Sequence, residues 1–429
     1  MSVFTGVLLG LGLRVVRASR AREPQTDGTV CQNSGAPRNL PATYDERMLR
    51  IGLVIDDGLD RPDGVQQIVL TLGRRLTALG HEVHYLTSTT TRTDLPNLHV
   101  LGRTVGVKFN GNRLGTPLPA SRAGIRALLD AVPLDVLHVT MPYSPVLAGR
   151  VVSAAHPGTA VVGHFVIYPQ DAATRWGIRA LGLLERRRLR RFDAISALSE
   201  AAAESVREAY GRDVPVIGGP VELPAAPAAS PHVAPPGADD DGPVRIVFLG
   251  RLVERKGPRE LLAAVAAMPR TERPWTLTLA GRGPLLDELR ERARTAGLAD
   301  RVDFPGFVAE EDKTALLAGA DVVALPSTGG ESFGMSVVEA LADAGGVVLA
   351  GDNPGYRTPM AGLEPQLVDP RDTAAFARTL ARWVDDPDAR RAARAPQHAA
   401  AQRFEAGEIT RQTLAWYEDA LASRRALAR

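Results

Sequence analysis

Gly329-Gly330-Glu331-Ser332-Phe333-Gly334-Met335-Ser336-Val337-Val338-Glu339 is the stretch on which the reading of this chain turns. Upstream, Ala320-Asp321-Val322-Val323-Ala324-Leu325-Pro326 reads as a short buried strand. Downstream, Val337, Val338, Leu341 and Ala342 form one apolar helical face, with Gly345-Gly346 as its stop. A strand therefore runs into a glycine-bearing loop and then a helix N-terminus, where unpaired N–H groups and a partial positive charge suit a phosphate. The two glutamates bracketing the loop can accept hydrogen bonds from sugar hydroxyls. Together these features suit a nucleotide-sugar. Glu339 alone reads equally well as part of an ordinary solvated face.

A second cluster lies upstream. Val244 to Leu249 is an apolar strand, followed by Gly250-Arg251-Leu252-Val253-Glu254-Arg255-Lys256-Gly257-Pro258 and a helix through Leu261, Leu262, Val265 and Ala266. In open α/β sheets such a strand-to-helix turn is where ligands bind. Arg255 reads as readily as a solvated turn cation. Lys256 stands out because the chain carries 51 Lys plus Arg but only three lysines, Lys108, Lys256 and Lys313. A chain so biased toward arginine keeps a lysine where a compact, mobile point charge is wanted, and a diphosphate is such a target.

Composition bounds the remaining possibilities. The 429 residues, 45% hydrophobic and 23% charged, fit a globular chain of two or more domains, and a net charge of +2 carries no nucleic-acid signature. A single cysteine, Cys31, excludes an internal disulfide framework and a zinc cluster, and makes a cytoplasmic location the default. Residues 1–47 differ from the rest. Val3 to Leu13 is apolar but too short to span a bilayer, and residues 17–47 have no period. This leader is expected to be disordered or to precede a true start at Met48.

From Ile51 onward strands and helices alternate. Strands are expected at 51–55, 83–86, 136–139, 160–166 and 194–197, then at 244–249, 276–280, 302–305, 321–325 and 347–350. The first helix carries Val65, Ile68, Val69, Leu72, Leu76 and Leu79 on one face. The expected class is α/β, with two doubly wound parallel-sheet domains facing across a cleft. Residues 48–221 form the first and 244–395 the second, with a Pro- and Asp-rich linker at 222–243 between them. Residues 396–429 end in an amphipathic helix carrying Ile409, Leu414, Tyr417 and Leu421.

Gly-Arg-x2-Glu-Arg-Lys-Gly followed by Glu-Ser-Phe-Gly-x4-Glu resembles the retaining glycosyltransferases of the two-Rossmann-domain (GT-B) type with an E-x7-E motif. Within glycosyltransferase family 4, the strings Pro62-Asp63-Gly64-Val65-Gln66, Phe109-Asn110-Gly111, Asp135 to His138 and Val162-Gly163-His164 are most similar to the phosphatidylinositol mannosyltransferases. The resemblance runs from about Leu49 to the C-terminus and implies that the last helix crosses back onto the first domain.

It also implies a division of roles. Arg251 and Lys256 neutralise the leaving diphosphate, Glu331 holds hexose hydroxyls and His164 contacts the donor sugar, whereas His138 reads as structural. Gly64, Gly250, Val308, Ser332, Phe333, Gly334, Met335 and Glu339 line the donor, with Glu339 on the ribose; Asp60 and Asn110 face the acceptor. The implied co-substrate is GDP-mannose, with no cofactor and no protein-ligated metal, and the acceptor is a phosphatidylinositol-like lipid at the inner face of the plasma membrane. Alternatives are a UDP-sugar donor with a soluble glycan or natural-product acceptor, and an inactive nucleotide-sugar-binding protein, against which the intact motif residues speak. Two departures bear on the acceptor and the donor loop. The helix at 121–131, lysine-rich in the phosphatidylinositol enzymes, has only Arg122 and Arg126 here, leaving Glu185 to Arg191 as the denser candidate for anionic lipid, although a solvated helix face is the commoner explanation of such a run. Ala342 to Val348 carries one residue more than the family pattern.

Overall fold

The structure, a computed structural model, describes residues 47–60, 64–109, 112–118, 121–142, 144–169, 172–223 and 242–427. Most of the leader, most of the linker and the acceptor candidate Asn110 lie outside these residues.

Two six-stranded parallel sheets carry the architecture. The strands of the first half are β1 (Arg50–Ile55), β2 (Glu82–Thr87), β3 (Leu98–Val100), β4 (Arg103–Phe109), β5 (Asn112–Leu118), β6 (Val136–Thr140), β7 (Ala160–Phe165) and β8 (Ala194–Ala197). Those of the second are β9 (Val244–Leu249), β10 (Trp275–Ala280), β11 (Val302–Gly306), β12 (Val322–Leu325), β13 (Val347–Gly351) and β14 (Leu367–Val368). The sheet orders are β3-β2-β1-β6-β7-β8 and β11-β10-β9-β12-β13-β14, the same winding twice. Both faces of each sheet are covered, so the central strands read as continuous apolar runs rather than alternating ones. Ile51, Leu53 and Ile55 enter one core cluster and Val54 another; Val247 likewise parts from Ile246 and Phe248. β4 and β5 form a separate antiparallel hairpin, pairing Phe109 with Asn112.

Strand order reverses between β1 and β6 and again between β9 and β12. Crevices open beyond the carboxyl ends of strands at such points. Val322 pairs with Ile246, so the Gly250–Gly257 turn and the Pro326–Gly334 loop leave neighbouring strands at the second reversal.

The halves are joined in three ways. One apolar cluster is continuous through both, from Ile51 and Val162 to Val323, Phe333, Phe404 and Tyr417. The final helix, Ala406–Leu427, lies on the first half, where Tyr417 Oη meets His138 Nδ1 at 2.7 Å and Arg424 pairs with Asp193 at 2.5 Å. The preceding helix, Pro387–Gln402, still belongs to the second sheet, where Gln397 accepts from Val348 N at 2.8 Å. The two chain crossings are stitched together: Val221 N donates to Phe404 O and Ala406 N to Val221 O, each at 2.9 Å. Arg75 joins them by pairing with Glu222 and Glu405.

Candidate active site

The two motif loops meet. The 3-10 turn Glu254–Lys256 brings Lys256 Nζ to 2.9 Å from Glu331 Oε1, and the Arg255 guanidinium pairs with the same oxygen. Ser327 Oγ lies 3.2 Å from that oxygen. The turn is locked against the loop by Gly257, whose φ is 74° and where a Cβ would sit 2.0 Å from Pro326 O. No other residue fits there. Burial pushes the Glu331 carboxyl up, but Lys256 and Arg255 outweigh it and hold the group below the ordinary carboxylate value. Burial likewise draws the Lys256 ammonium down, against the pull of Glu331, with Arg255 and Arg251 adding to the depression. Arg251 is exposed and forms no ion pair among the described residues. Its charge is felt at Lys256 without a carboxylate to satisfy it.

Gly334, with φ 97°, precedes the helix Met335–Asp343, and a Cβ there would meet Tyr356 Cδ1 at 2.5 Å. Met335 opens that helix and faces the N-terminus of Gly64–Ala78, where a Cβ on Gly64 would lie 3.7 Å from Met335 Cγ. Two helix N-termini from different halves thus converge on one place, each presenting unpaired N–H groups. Met335 also fills the space beside Gly219, and Phe333 stacks edge-on against Phe404 at 5.0 Å. Phe333 is 2% exposed, so its ring belongs to the packed core.

Ser332 has a second role. Its Oγ accepts from Tyr168 N at 3.1 Å and its carbonyl from Ser199 Oγ at 2.5 Å, tying the Pro326–Gly334 loop to the first half. Glu339, deeper in the helix, pairs with Lys313 at 3.2 Å; burial nevertheless holds its carboxyl above the ordinary value. Gly250 follows β9 beside the turn, and Val308 follows β11, half-buried. Asp60 is an exposed loop clip that accepts from Thr91 N and Thr91 Oγ1, each at 2.7 Å, and from Thr90 Oγ1 at 3.0 Å.

His164 is not brought to this group. Its ring is 3% exposed, with Nδ1 2.9 Å from Ser196 Oγ and with Trp416 and His138 edge-on against it. Burial lowers its pKa to about 4. Its strand face is covered by the final helix, and the imidazole packs against Trp416 of that helix. His138, read as structural, sits in the same buried group.

Several residues of the site are not singled out by the sequence. Lys313, Ser327 and Tyr356 lie in segments that read as ordinary helix or loop. Asp56 directly follows β1, 4% exposed, accepting from Ala148 N at 2.7 Å; burial raises its pKa to about 6.

Paired parallel sheets with a cationic turn and an acidic loop at the reversal define the class as the GT-B glycosyltransferases. Two family models match, "Glycosyl transferases group 1" over residues 234–399 and "Glycosyltransferase Family 4" over residues 62–223. The phosphatidyl-myo-inositol mannosyltransferase of Mycobacterium leprae (strain TN) is 30% identical over 387 residues, 87% of this chain and 98% of that protein. The 2-deoxystreptamine glucosyltransferase of Streptomyces kanamyceticus is 31% identical over 338 residues, 76% of this chain and 86% of that one. Among solved structures, Anabaena Alr3699/HepE in complex with UDP-glucose superposes with a TM-score of 0.64 at 20% identity, covering 87% of this chain and 100% of that one. That last likeness speaks for the fold alone. The chain belongs to glycosyltransferase family 4 and is a hexosyltransferase. Among the described residues no helix is long and apolar enough to cross a membrane.

Proposed function

We propose that this enzyme transfers mannose from GDP-mannose to a phosphatidylinositol-like lipid, working as a peripheral protein at the inner face of the membrane. The observation that carries this reading is the near full-length similarity to phosphatidyl-myo-inositol mannosyltransferases. The meeting of the cationic turn with the acidic loop supplies chemistry that suits it.

In this reading Arg251 and Lys256 stabilise charge as it builds on the departing diphosphate, where preorganised cations act most strongly. Main-chain N–H groups of residues 333–335, the helix start at Gly64, and Gly250 and Val308 frame the donor. Glu331 accepts from hexose hydroxyls and Glu339 from the ribose. Asp60 and Asn110 face the acceptor. The acceptor oxygen attacks the anomeric carbon from the face that the diphosphate leaves. The C–O bond to phosphate breaks, and the acceptor proton passes to the leaving phosphate oxygen, so configuration is retained. The cationic side chains do the neutralising, with no protein-ligated metal.

A second reading is favoured by two observations. The helix Arg122–Ala131 offers only Arg122 and Arg126 to an anionic surface, and a 2-deoxystreptamine glucosyltransferase is 31% identical, though over a shorter stretch than the mannosyltransferases. In that reading the donor is a UDP-sugar and the acceptor a soluble polyol. Incubating the enzyme with GDP-mannose, GDP-glucose, UDP-glucose or UDP-N-acetylglucosamine, against phosphatidylinositol vesicles or free 2-deoxystreptamine, separates the two by product mass. Mannosylated lipid is expected. A glycosylated soluble acceptor would establish the second reading, and nucleotide binding without any transfer would leave a silent binding protein.

A further inference from the structure

One carboxylate oxygen of Glu331 is shared by two cations, and the two are built differently. Lys256 contributes a single mobile ammonium. Arg255 holds on at both ends: its guanidinium pairs with Glu331, while its main-chain oxygen accepts from Ser327 Oγ at 2.7 Å and Thr328 N at 2.9 Å. Arg255 is therefore fastened to the loop that carries Glu331. The other ionisable groups facing this carboxylate are Tyr356, from the helix Pro354–Arg357, and, beside Lys256, Arg251.

The pairing poses a problem for the proposed donor. A diphosphate that draws Lys256 to itself removes that ammonium from a carboxylate whose side chain is only 11% exposed. A buried carboxylate left without a cation is costly and takes up a proton. A protonated Glu331 accepts sugar hydroxyls poorly, because neutral acceptors form weaker hydrogen bonds than charged ones. Guanidinium is always charged and has donors enough to serve one carboxylate while its main chain holds the loop.

We propose that Arg255 is the positioning residue that keeps Glu331 ionised and in place when the donor diphosphate takes Lys256 away from it. Arrival of the diphosphate becomes an exchange of partners: Lys256 turns to phosphate, Arg255 remains on Glu331, and the free Glu331 oxygen is directed at the hexose. This rests on the nucleotide-sugar reading of the site.

The test is a calorimetric titration with guanosine diphosphate, and in parallel uridine diphosphate, at neutral pH in two buffers of different ionisation heat. Their comparison counts the protons taken up on binding. Wild type and Arg255→Lys, which both keep a cation beside Glu331, are expected to give equal counts. Arg255→Gln is expected to take up close to one proton more, so that its affinity falls roughly tenfold further per pH unit than that of the wild type. Adding Glu331→Gln to Arg255→Gln should abolish the extra proton. A merely structural role for Arg255 would change affinity without this proton. Equal counts in wild type and Arg255→Gln, with the diphosphate bound, would overturn the inference alone. Binding of neither diphosphate by the wild type would overturn the nucleotide-sugar reading and the inference with it.

Discussion

Lys313 Nζ lies 3.2 Å from Glu339 Oε2, so the second glutamate of the motif, like the first, is met by one of the chain's three lysines. The pair is largely enclosed, with Glu310 and Asp343 adding negative charge around Glu339. Lys313→Met should destabilise the protein by about 1–3 kcal/mol at neutral pH, the scale of an enclosed charge losing its partner. The Glu339 carboxyl already titrates above its ordinary value, and losing Lys313 raises it further. The deficit is therefore largest above that raised pKa and closes as pH falls into the ordinary carboxylate range. Urea unfolding across pH, with Lys313→Met/Glu339→Gln as the recovering double variant, measures it. A deficit that persists unchanged at low pH would contradict the electrostatic cause.

Lys256→Ala and Arg251→Ala should each lower turnover by about a hundredfold or more, the scale of one preorganised electrostatic group. Steady-state rates on folded variants decide this. A near wild-type rate in either removes that residue from the mechanism.

Gly334→Ala forces a Cβ into a left-handed conformation and against the Tyr356 ring. The backbone cost is about 1–3 kcal/mol before the clash is counted. Thermal melting should show the loss, and binding of a nucleotide-sugar should weaken with it, because the helix N-terminus is displaced. Unchanged melting would mean that Tyr356 yields freely.

His164 titrates at about 4 because it is buried, whereas an unfolded histidine titrates near 6.5. The unfolded state therefore binds more protons between these values, and stability falls as pH drops through that window, by on the order of 3 kcal/mol for this group. His138 is lowered too and acts in the same direction, whereas Asp56, raised to about 6, opposes both. Comparing wild type with His164→Gln by denaturant unfolding at neutral and acid pH isolates the histidine. A decline equally steep in both would show that its titration is not the cause.

Much of this fold is legible in the sequence because central strands of parallel sheets are apolar on both faces. Val244 to Leu249 and Val347 to Gly351 announce themselves without any alternation. The β4–β5 hairpin carries its own signals, with Val105, Val107 and Phe109 alternating before Asn110-Gly111, a two-residue hairpin signal. The edge strands β3 and β14 are too short to show a pattern. At the site, Lys256 and Glu331 can be named from their loops, but their contact cannot, because it depends on β9 and β12 being neighbours. Lys313 sits in Glu310–Ala318, whose Glu-Glu-Asp-Lys start reads as a solvated face. The surroundings of His164 are hidden for a related reason: nothing local to β7 reveals that Trp416 and Tyr417, far along the chain, cover that face.

The stitched crossings at Val221 and Phe404–Ala406 have a mechanical meaning. Two bodies linked by one flexible segment can twist and slide freely, whereas two adjacent segments bonded to each other act as a common pivot. Gly218 and Gly219 lie beside that pivot, against Phe404, Phe333 and Met335. Any swing of the halves about that pivot would therefore disturb the packing around Phe333 and Met335, where the helix Met335–Asp343 begins.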